Sequence, residues 1–180
     1  MFFVCMIQRV FYFPLKPRLE KLFKTKAYRQ MLQHEFERPR NDIYMTDVYD
    51  TPAWSQFMGP VTSPISRVGF QFCVDAIPAF AVGSLSLKPA EFINLSLPPG
   101  VRTKSENILL LMLIPNTLAK GMAQKKYYDF AAKFELDEIV TNGIDGIKVK
   151  IFSTSMDTKG REELLGMQTC SSYHHNGKRA

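Results

Sequence analysis

Three features of this 180-residue chain predict an α/β fold, a mixed sheet with helices, preceded by a short basic helical segment. Short runs with strand character follow one another between residues 68 and 115, a stretch with helical spacing comes next, and a last strand pattern closes the series. One of these runs, Asn107–Pro115 (NILLLMLIP), is continuously apolar and stopped by proline, as expected of a strand buried on both faces. Three strands followed by a helical crossover then allow the last strand to return parallel to an earlier one. Residues 12–60 form the basic lead in this reading, and residues 66–180 the sheet-bearing core.

Each element has a local reason. Tyr12–Pro17 (YFPLKP) reads as extended, because each proline disfavours the α region for the residue before it. Pro17 suits a first helical turn, and Leu19, Leu22 and Phe23 follow at i, i+3 and i+4, the stripe of a short amphipathic helix. Thr25 is placed to cap a second helix bearing Tyr28, Met31, Leu32 and Phe36, which Pro39 stops. Residues 41–66 read as irregular, punctuated by Pro52, Gly59, Pro60 and Pro64. Val68–Val74 alternates, with Phe70, Phe72 and Val74 on one face and Gln71 and Cys73 on the other, and ends at Asp75. Gly83–Leu87 and Phe92–Leu97 are expected as two short strands around Pro89. Tyr127–Val140 reads as a helix, with Tyr127, Phe130, Ala131, Phe134 and Ile139 near helical spacing. Asn142-Gly143 and Asp145-Gly146 mark turns, and Ile147–Phe152 is the last strand, with Asp157 shortly beyond it.

Composition narrows the class. Apolar residues make up 46% and charged residues 22%, which excludes a disordered or collagen-like chain. No apolar run reaches the roughly 18 residues of a membrane span. Cys5, Cys73 and Cys170 are odd in number and far apart, so no disulfide framework is implied. Met1–Ile7 lacks the basic region and cleavage site of a secretory signal, and a reducing, non-secreted setting is expected. The net charge of +6 is concentrated at the front, where residues 1–40 hold 9 basic and 3 acidic side chains. Lys16, Arg18, Lys21, Lys24, Lys26 and Arg29 fall largely off the apolar stripes, a pattern that suits a phosphate backbone or a solvated helix face. The chain has no Gly-rich phosphate loop, Ser/His/Asp arrangement or nucleotide fingerprint, so neither a small-molecule cofactor nor a membrane partner is expected.

Asp75 and Asp157 each follow an apolar strand, at the end where open α/β sheets place their sites. On neighbouring strands about 4.8 Å apart, two such carboxylates can converge on Mg²⁺ or Mn²⁺, hard ions that prefer oxygen. Metal pairs about 3.5–4 Å apart stabilise the attacking and leaving oxygens of an in-line phosphoryl displacement. Each aspartate can equally well end a strand and begin a turn.

Several segments, in order, resemble the transposase of CACTA-type (En/Spm-like) cut-and-paste DNA elements. Tyr12-Phe-Pro-Leu-Lys-Pro-Arg-Leu-Glu-Lys-Leu-Phe23 is similar to that family's opening signature, and His34 stands where the family has a histidine. Asp50-Thr-Pro-Ala-Trp54 resembles its D-x-x-x-W block, and Val68–Asp75 its strand ending in D-G-F-N-P-F. Asn94-Leu-Ser-Leu-Pro-Pro99 is similar to its NLPP motif, and Glu106–Pro115 to its apolar strand ending in IPGP. The resemblance implies a partial ribonuclease-H-like core of the DDE class, with Asp75 and Asp157 as catalytic metal ligands for Mg²⁺ or Mn²⁺. It further implies transposon-end DNA as partner, a homo-oligomer and a nuclear location. The Gly and Asn of the family's first acidic block are replaced here by Ala76 and Pro78, and Asn116-Thr117 stands in place of Gly-Pro. The family's third carboxylate and a Cys-x-x-Cys pair would lie beyond Ala180, so a fragment inactive by itself is expected. A non-catalytic transposase-derived DNA- or protein-binding module and a relic without function are the competing readings.

Lesser candidates stand beside these. Cys170, His174 and His175 would begin a zinc site only with cysteines beyond the terminus, and otherwise read as a polar tail. Trp54, Phe11, Tyr12 and Phe13 suit packing of the lead onto the sheet better than stacking on bases. Asn94-Leu-Ser96 matches a glycosylation sequon by chance.

Overall fold

The computed structural model describes residues 10–39, 43–59, 65–78, 86–115, 126, 129, 131 and 135–156. Its strands are β1 (Phe11–Tyr12), β2 (Arg67–Val74), β3 (Ile77–Pro78), β4 (Ser86–Asn94), β5 (Ile108–Pro115) and β6 (Lys148–Met156). They form one sheet in the order β1-β5-β4-β2-β6, with β3 also paired to β4. β2, β4 and β5 are consecutive antiparallel neighbours, whereas β6 lies parallel to β2. A parallel neighbour needs a long crossover, which the chain between β5 and β6 supplies. The α/β class and the parallel return of the last strand are therefore present.

Two strand expectations are corrected. In place of two short strands around Pro89, β4 runs unbroken through it. Val74 pairs with Ala90 and Ile77 with Leu87, so Pro89 falls at the break between the β2 and β3 pairings, where the ladder is already interrupted. Residues 83–85 of the earlier expectation lie outside the described residues. The last strand continues to Met156, four residues beyond its expected end at Phe152. Phe70 pairs with Ile151 and Gln71 with Ser153, which leaves Phe152 as the extra residue of a bulge. The bulge shifts the phase of alternation, and a reading based on period two stops there. A second bulge in β5 leaves Leu111 extra beside Met112, and both are 1% exposed.

The helices are α1 (Lys16–Lys24), α2 (Lys26–Leu32), α3 (His34–Glu37), α4 (Pro52–Met58), α5 (Pro99–Arg102) and α6 (Asp137–Asn142). Leu19 and Phe23 of α1 and Tyr28 and Leu32 of α2 are buried in one cluster with Phe70, Phe92, Leu111 and Ile114 of the sheet and Ile139 of α6. Lead and sheet thus share a core. Each such side chain contributes about 1.5–3 kcal/mol when fully buried. Thr25 stands at the α2 N-cap but makes no cap bond there; its hydroxyl donates to the Lys21 carbonyl at 3.0 Å and closes α1 instead.

α4 covers the opposite face. Gly69 alternates with the core residues Val68 and Phe70, and a Cβ at position 69 would stand 2.5 Å from the Trp54 ring. Tyr49, Trp54, Met58 and Leu95 form a second buried cluster there, with Phe152 against it. Trp54 packs as expected, but Phe11 and Phe13 are 47% and 38% exposed, because in the short edge strand only Tyr12 turns inward.

Asp145 and Gly146 have φ of 50° and 78°, and Ile144 bridges Ile147 around them, so this tight turn delivers the chain into β6. Of the expected helix Tyr127–Val140, residues 127, 128, 130 and 132–134 lie outside the described residues, and α6 is its latter part.

Candidate functional site

Asp75 directly follows β2 at one end of the sheet, and α1 ends at Lys24 beside Asp145, near the start of β6 at the other. At one pole β2 ends in Val74, which pairs in register with Met156 of parallel β6. In the sequence, Asp75 directly follows Val74 and Asp157 directly follows Met156. Asp75 is exposed, and its Oδ1 accepts the Ala76 backbone N–H at 2.7 Å, a turn-type bond that leaves the rest of the carboxylate open to solvent. Asp157 lies outside the described residues, as do Cys5, Cys170, His174 and His175.

Cys73 and Glu91 sit just inside this pole as a cross-strand pair. Burial pushes the Cys73 thiol above its usual range and the Glu91 charge pushes it further, while burial alone raises the Glu91 carboxyl. Among the described residues no group of three or more His, Cys, Asp or Glu is disposed to hold a metal. On the other face a cavity of about 200 Å³ lies under the sheet end, walled by Phe72, Phe92, Leu111, Leu136 and Ile151, with Thr154 a polar member.

The six basic residues divide into two groups. Lys16 is ion-paired with Glu138, and its backbone N–H donates to Glu135. Arg18 is committed to the fold. Its Nε donates to the Pro14 carbonyl at 2.8 Å, and its Nη2 to the Phe13 and Leu110 carbonyls at 2.7 and 2.6 Å. It thereby closes the β5 edge, and burial lowers its pKa. Lys21, Lys24, Lys26 and Arg29 are exposed. Lys24 stands 3.9 Å from Asp145, and the other three have no ion-pair partner among the described residues.

The remaining residues singled out in the sequence do structural work. Asp50 binds Arg38 and accepts the Thr46 and Asp47 backbone N–H groups at 2.8 and 3.1 Å, an arrangement that holds its carboxyl well below the usual range. Thr51 caps α4, and the Trp54 indole N–H donates to Glu35 at 2.9 Å. Glu35 also accepts from Arg67 at 3.1 Å. His34 lies edge-on to Tyr49, whose ring is flanked by the guanidinium groups of Arg38 and Arg102 at 5.2 and 5.5 Å. Asn94 is wholly buried; its amide donates to the Tyr28 hydroxyl at 2.9 Å and its carbonyl accepts the Ser96 N–H at 2.9 Å. The sequon is thus a buried turn.

One residue that the sequence did not single out organises the lead. Glu135, 6% exposed, accepts from Tyr12 Oη at 2.6 Å, from the Leu15 N–H at 2.7 Å and from the Lys16 N–H. The carboxylate sits at the start of α1, where free N–H groups and the helix dipole favour negative charge. Its partners are more than a hundred residues away in sequence, so no local spacing signals it.

No protein-family model, curated protein or solved structure matches this chain. Fold and geometry define a mixed α/β sheet protein whose β2 and β6 are parallel neighbours, with an exposed aspartate directly after β2. Among the described residues no helix is long and apolar enough to cross a membrane.

Proposed function

We propose that this chain is part of a CACTA-type transposase, a partial ribonuclease-H-like core of the DDE class that acts on transposon-end DNA in the nucleus. The observation that supports the reading is the register of β2 and β6, which sets Val74 beside Met156, the residues that directly precede Asp75 and Asp157 in the sequence. The pairing of β6 with β2 supports it further, since the resemblance implies that the strands leading to the two acidic residues are neighbours.

The donor chemistry suits a hard divalent ion. Asp75 offers carboxylate oxygens at an exposed strand end and spends one of them only on a neighbouring N–H. Asp75 and Asp157 would hold Mg²⁺ or Mn²⁺, and the ion would supply charge stabilisation for phosphoryl transfer. The chain's own residues set the two strand ends side by side, through the β2–β6 ladder and the Gly69–Trp54 packing on the outer face. No third carboxylate is assigned, so the proposal for these residues extends to metal binding and stops short of strand cleavage. The second reading, a non-catalytic DNA-binding module, is favoured by the exposed cations of α1 and α2.

Calorimetric titration with Mn²⁺ tests the proposal. The wild-type chain is expected to bind it, and Asp75→Asn and Asp157→Asn each to weaken binding at least tenfold. The double variant should lose little more, because the two groups share one ion. Equal affinity in wild type and both single variants would refute the metal site.

A further inference from the structure

The geometry points to a docking surface for the phosphate backbone of duplex DNA, formed by Lys21, Lys24, Lys26 and Arg29, at the pole of the sheet opposite Asp75. This rests on the DNA reading above and adds that the DNA held here is a different stretch from any held at the aspartates.

The position follows from the register. α1 begins at Lys16, which is paired with Glu138, and ends at Lys24, 3.9 Å from Asp145. Asp145 lies three residues before Lys148, the first residue of β6 and the partner of Arg67 at the start of β2. α2 continues over that pole. The Tyr28 hydroxyl is held by Asn94, which pairs with Phe70, and Glu35, after α2, reaches Arg67. Asp75 lies beyond the far end of β2, whose eight residues advance about 23 Å from first to last. Along a straight duplex that distance is roughly seven base pairs.

The charge follows from the sequence and the packing. No acidic residue occurs between Glu20 and Glu35, so α2 carries no carboxylate at all and α1 carries Glu20 alone, against Lys21 and Lys24 among the four cations. The Asp145 contact of Lys24 is a long pair between exposed side chains, which contributes little. Phe23 and Tyr28, 1% and 3% exposed, lock the two helices to the sheet, so the cations are presented on a fixed frame and little backbone ordering is needed on binding. Such a surface neutralises phosphates without reading bases. Lys16 and Arg18 are not part of it, since the first is ion-paired and the second spends its guanidinium on three carbonyls.

The test is fluorescence anisotropy with a short labelled duplex of arbitrary sequence, across a salt series. Four neutralised phosphates give a log–log salt slope of about −3.6, and affinity should fall about 150-fold between 50 and 200 mM salt. The variant carrying Lys21→Gln, Lys24→Gln, Lys26→Gln and Arg29→Gln, folded by circular dichroism, should lose that dependence and most of the binding. Lys150→Gln, on the opposite face of the sheet where Lys150 Nζ meets the Phe57 carbonyl of α4, should keep both. An unchanged slope in the quadruple variant overturns the surface even where DNA binding persists. No duplex binding by the wild type at 50 mM salt overturns it too. Stronger competition by polyglutamate than by unlabelled duplex overturns it in favour of an acidic protein partner. The metal reading is judged apart from all of these, by Mn²⁺ titration of the same quadruple variant, which should bind as the wild type does.

Discussion

Replacing Glu135 should loosen the basic lead from the sheet. The carboxylate is 6% exposed and accepts three hydrogen bonds, one from a phenol and two from backbone N–H groups at the start of α1. A hydrogen bond to a charged partner contributes about 1.5–3 kcal/mol, and a buried donor left without one costs about 1–3 kcal/mol. The three donors share one carboxylate, so the contributions are not additive, and Glu135→Ala is expected to cost about 3–5 kcal/mol. Glu135→Gln keeps one carbonyl oxygen and most of the packing, and should cost about 2 kcal/mol. Urea denaturation gives the totals, and hydrogen exchange locates them: α1 amides should lose protection in the alanine variant while those of β2 and β4 keep more of theirs. The Tyr12 hydroxyl supplies a separate readout. Burial raises its pKa, and the Glu135 bond and charge raise it further. Ultraviolet titration, assigned with Tyr12→Phe, should therefore show Tyr12 ionising at lower pH in Glu135→Gln. An alanine variant within 1 kcal/mol of wild type, with α1 still protected, would refute the reasoning.

Two further outcomes follow from the packing. Gly69→Ala sets a methyl 2.5 and 2.8 Å from two Trp54 ring carbons and 3.2 Å from the Met58 sulfur. The indole is held by Glu35 and stacked edge-on against Tyr49 and Phe152, so it cannot swing aside, and a loss of about 1–3 kcal/mol is expected in urea. Stability should also fall at high pH. Burial pushes the Tyr28 phenol up to about 12, against the opposing Asn94 hydrogen bond, and raises Tyr12 and Tyr49 as well. Above pH ~10 the unfolded chain ionises while the folded phenols keep their protons, so stability drops as pH rises. Tyr28 alone contributes up to about 3 kcal/mol between pH 10 and 12, and Tyr28→Phe should flatten that part of a pH–urea series.

Legibility in the sequence followed the range of the interactions. β2 and β5 were readable because their alternation and their continuous apolar run are local consequences of burial, and Leu19, Leu22 and Phe23 traced α1 for the same reason. The parallel return of the last strand was readable from element order alone. The unbroken β4 was not, since Pro89 is a breaker by propensity and is tolerated only where the neighbouring pairings already part. The length of β6 was hidden by the Phe152 bulge, which changes the inward phase from odd to even positions. Among the site residues, the exposure of Lys21, Lys24, Lys26 and Arg29 could be inferred from the helical stripe. The commitment of Arg18 to the Leu110 carbonyl, 92 residues away, could not, and neither could the capping of α1 by Glu135.

The residues that carry the family resemblance can be weighed by what the fold asks of them. Leu15, Leu19 and Phe23 are core, Tyr12 binds Glu135, Asp50 binds Arg38, and Trp54 fills the space over Gly69. Asn94 organises a buried turn, and the Asn107 amide donates to the Val101 carbonyl at 2.8 Å. Every one of these is accounted for by packing or hydrogen bonding, so each bears on the fold and none by itself on the chemistry. Asp75 is different: it is exposed, and its recorded bond is to the N–H of the next residue. An aspartate that the fold does not need, placed where the strand beside it leads directly to a second aspartate, is the position where a functional reading has content. Asp75→Asn should therefore leave the unfolding free energy measured in urea within about 0.5 kcal/mol of wild type, as surface substitutions do, while it weakens Mn²⁺ binding. A large stability loss in that variant would mean that Asp75 belongs with the structural residues after all.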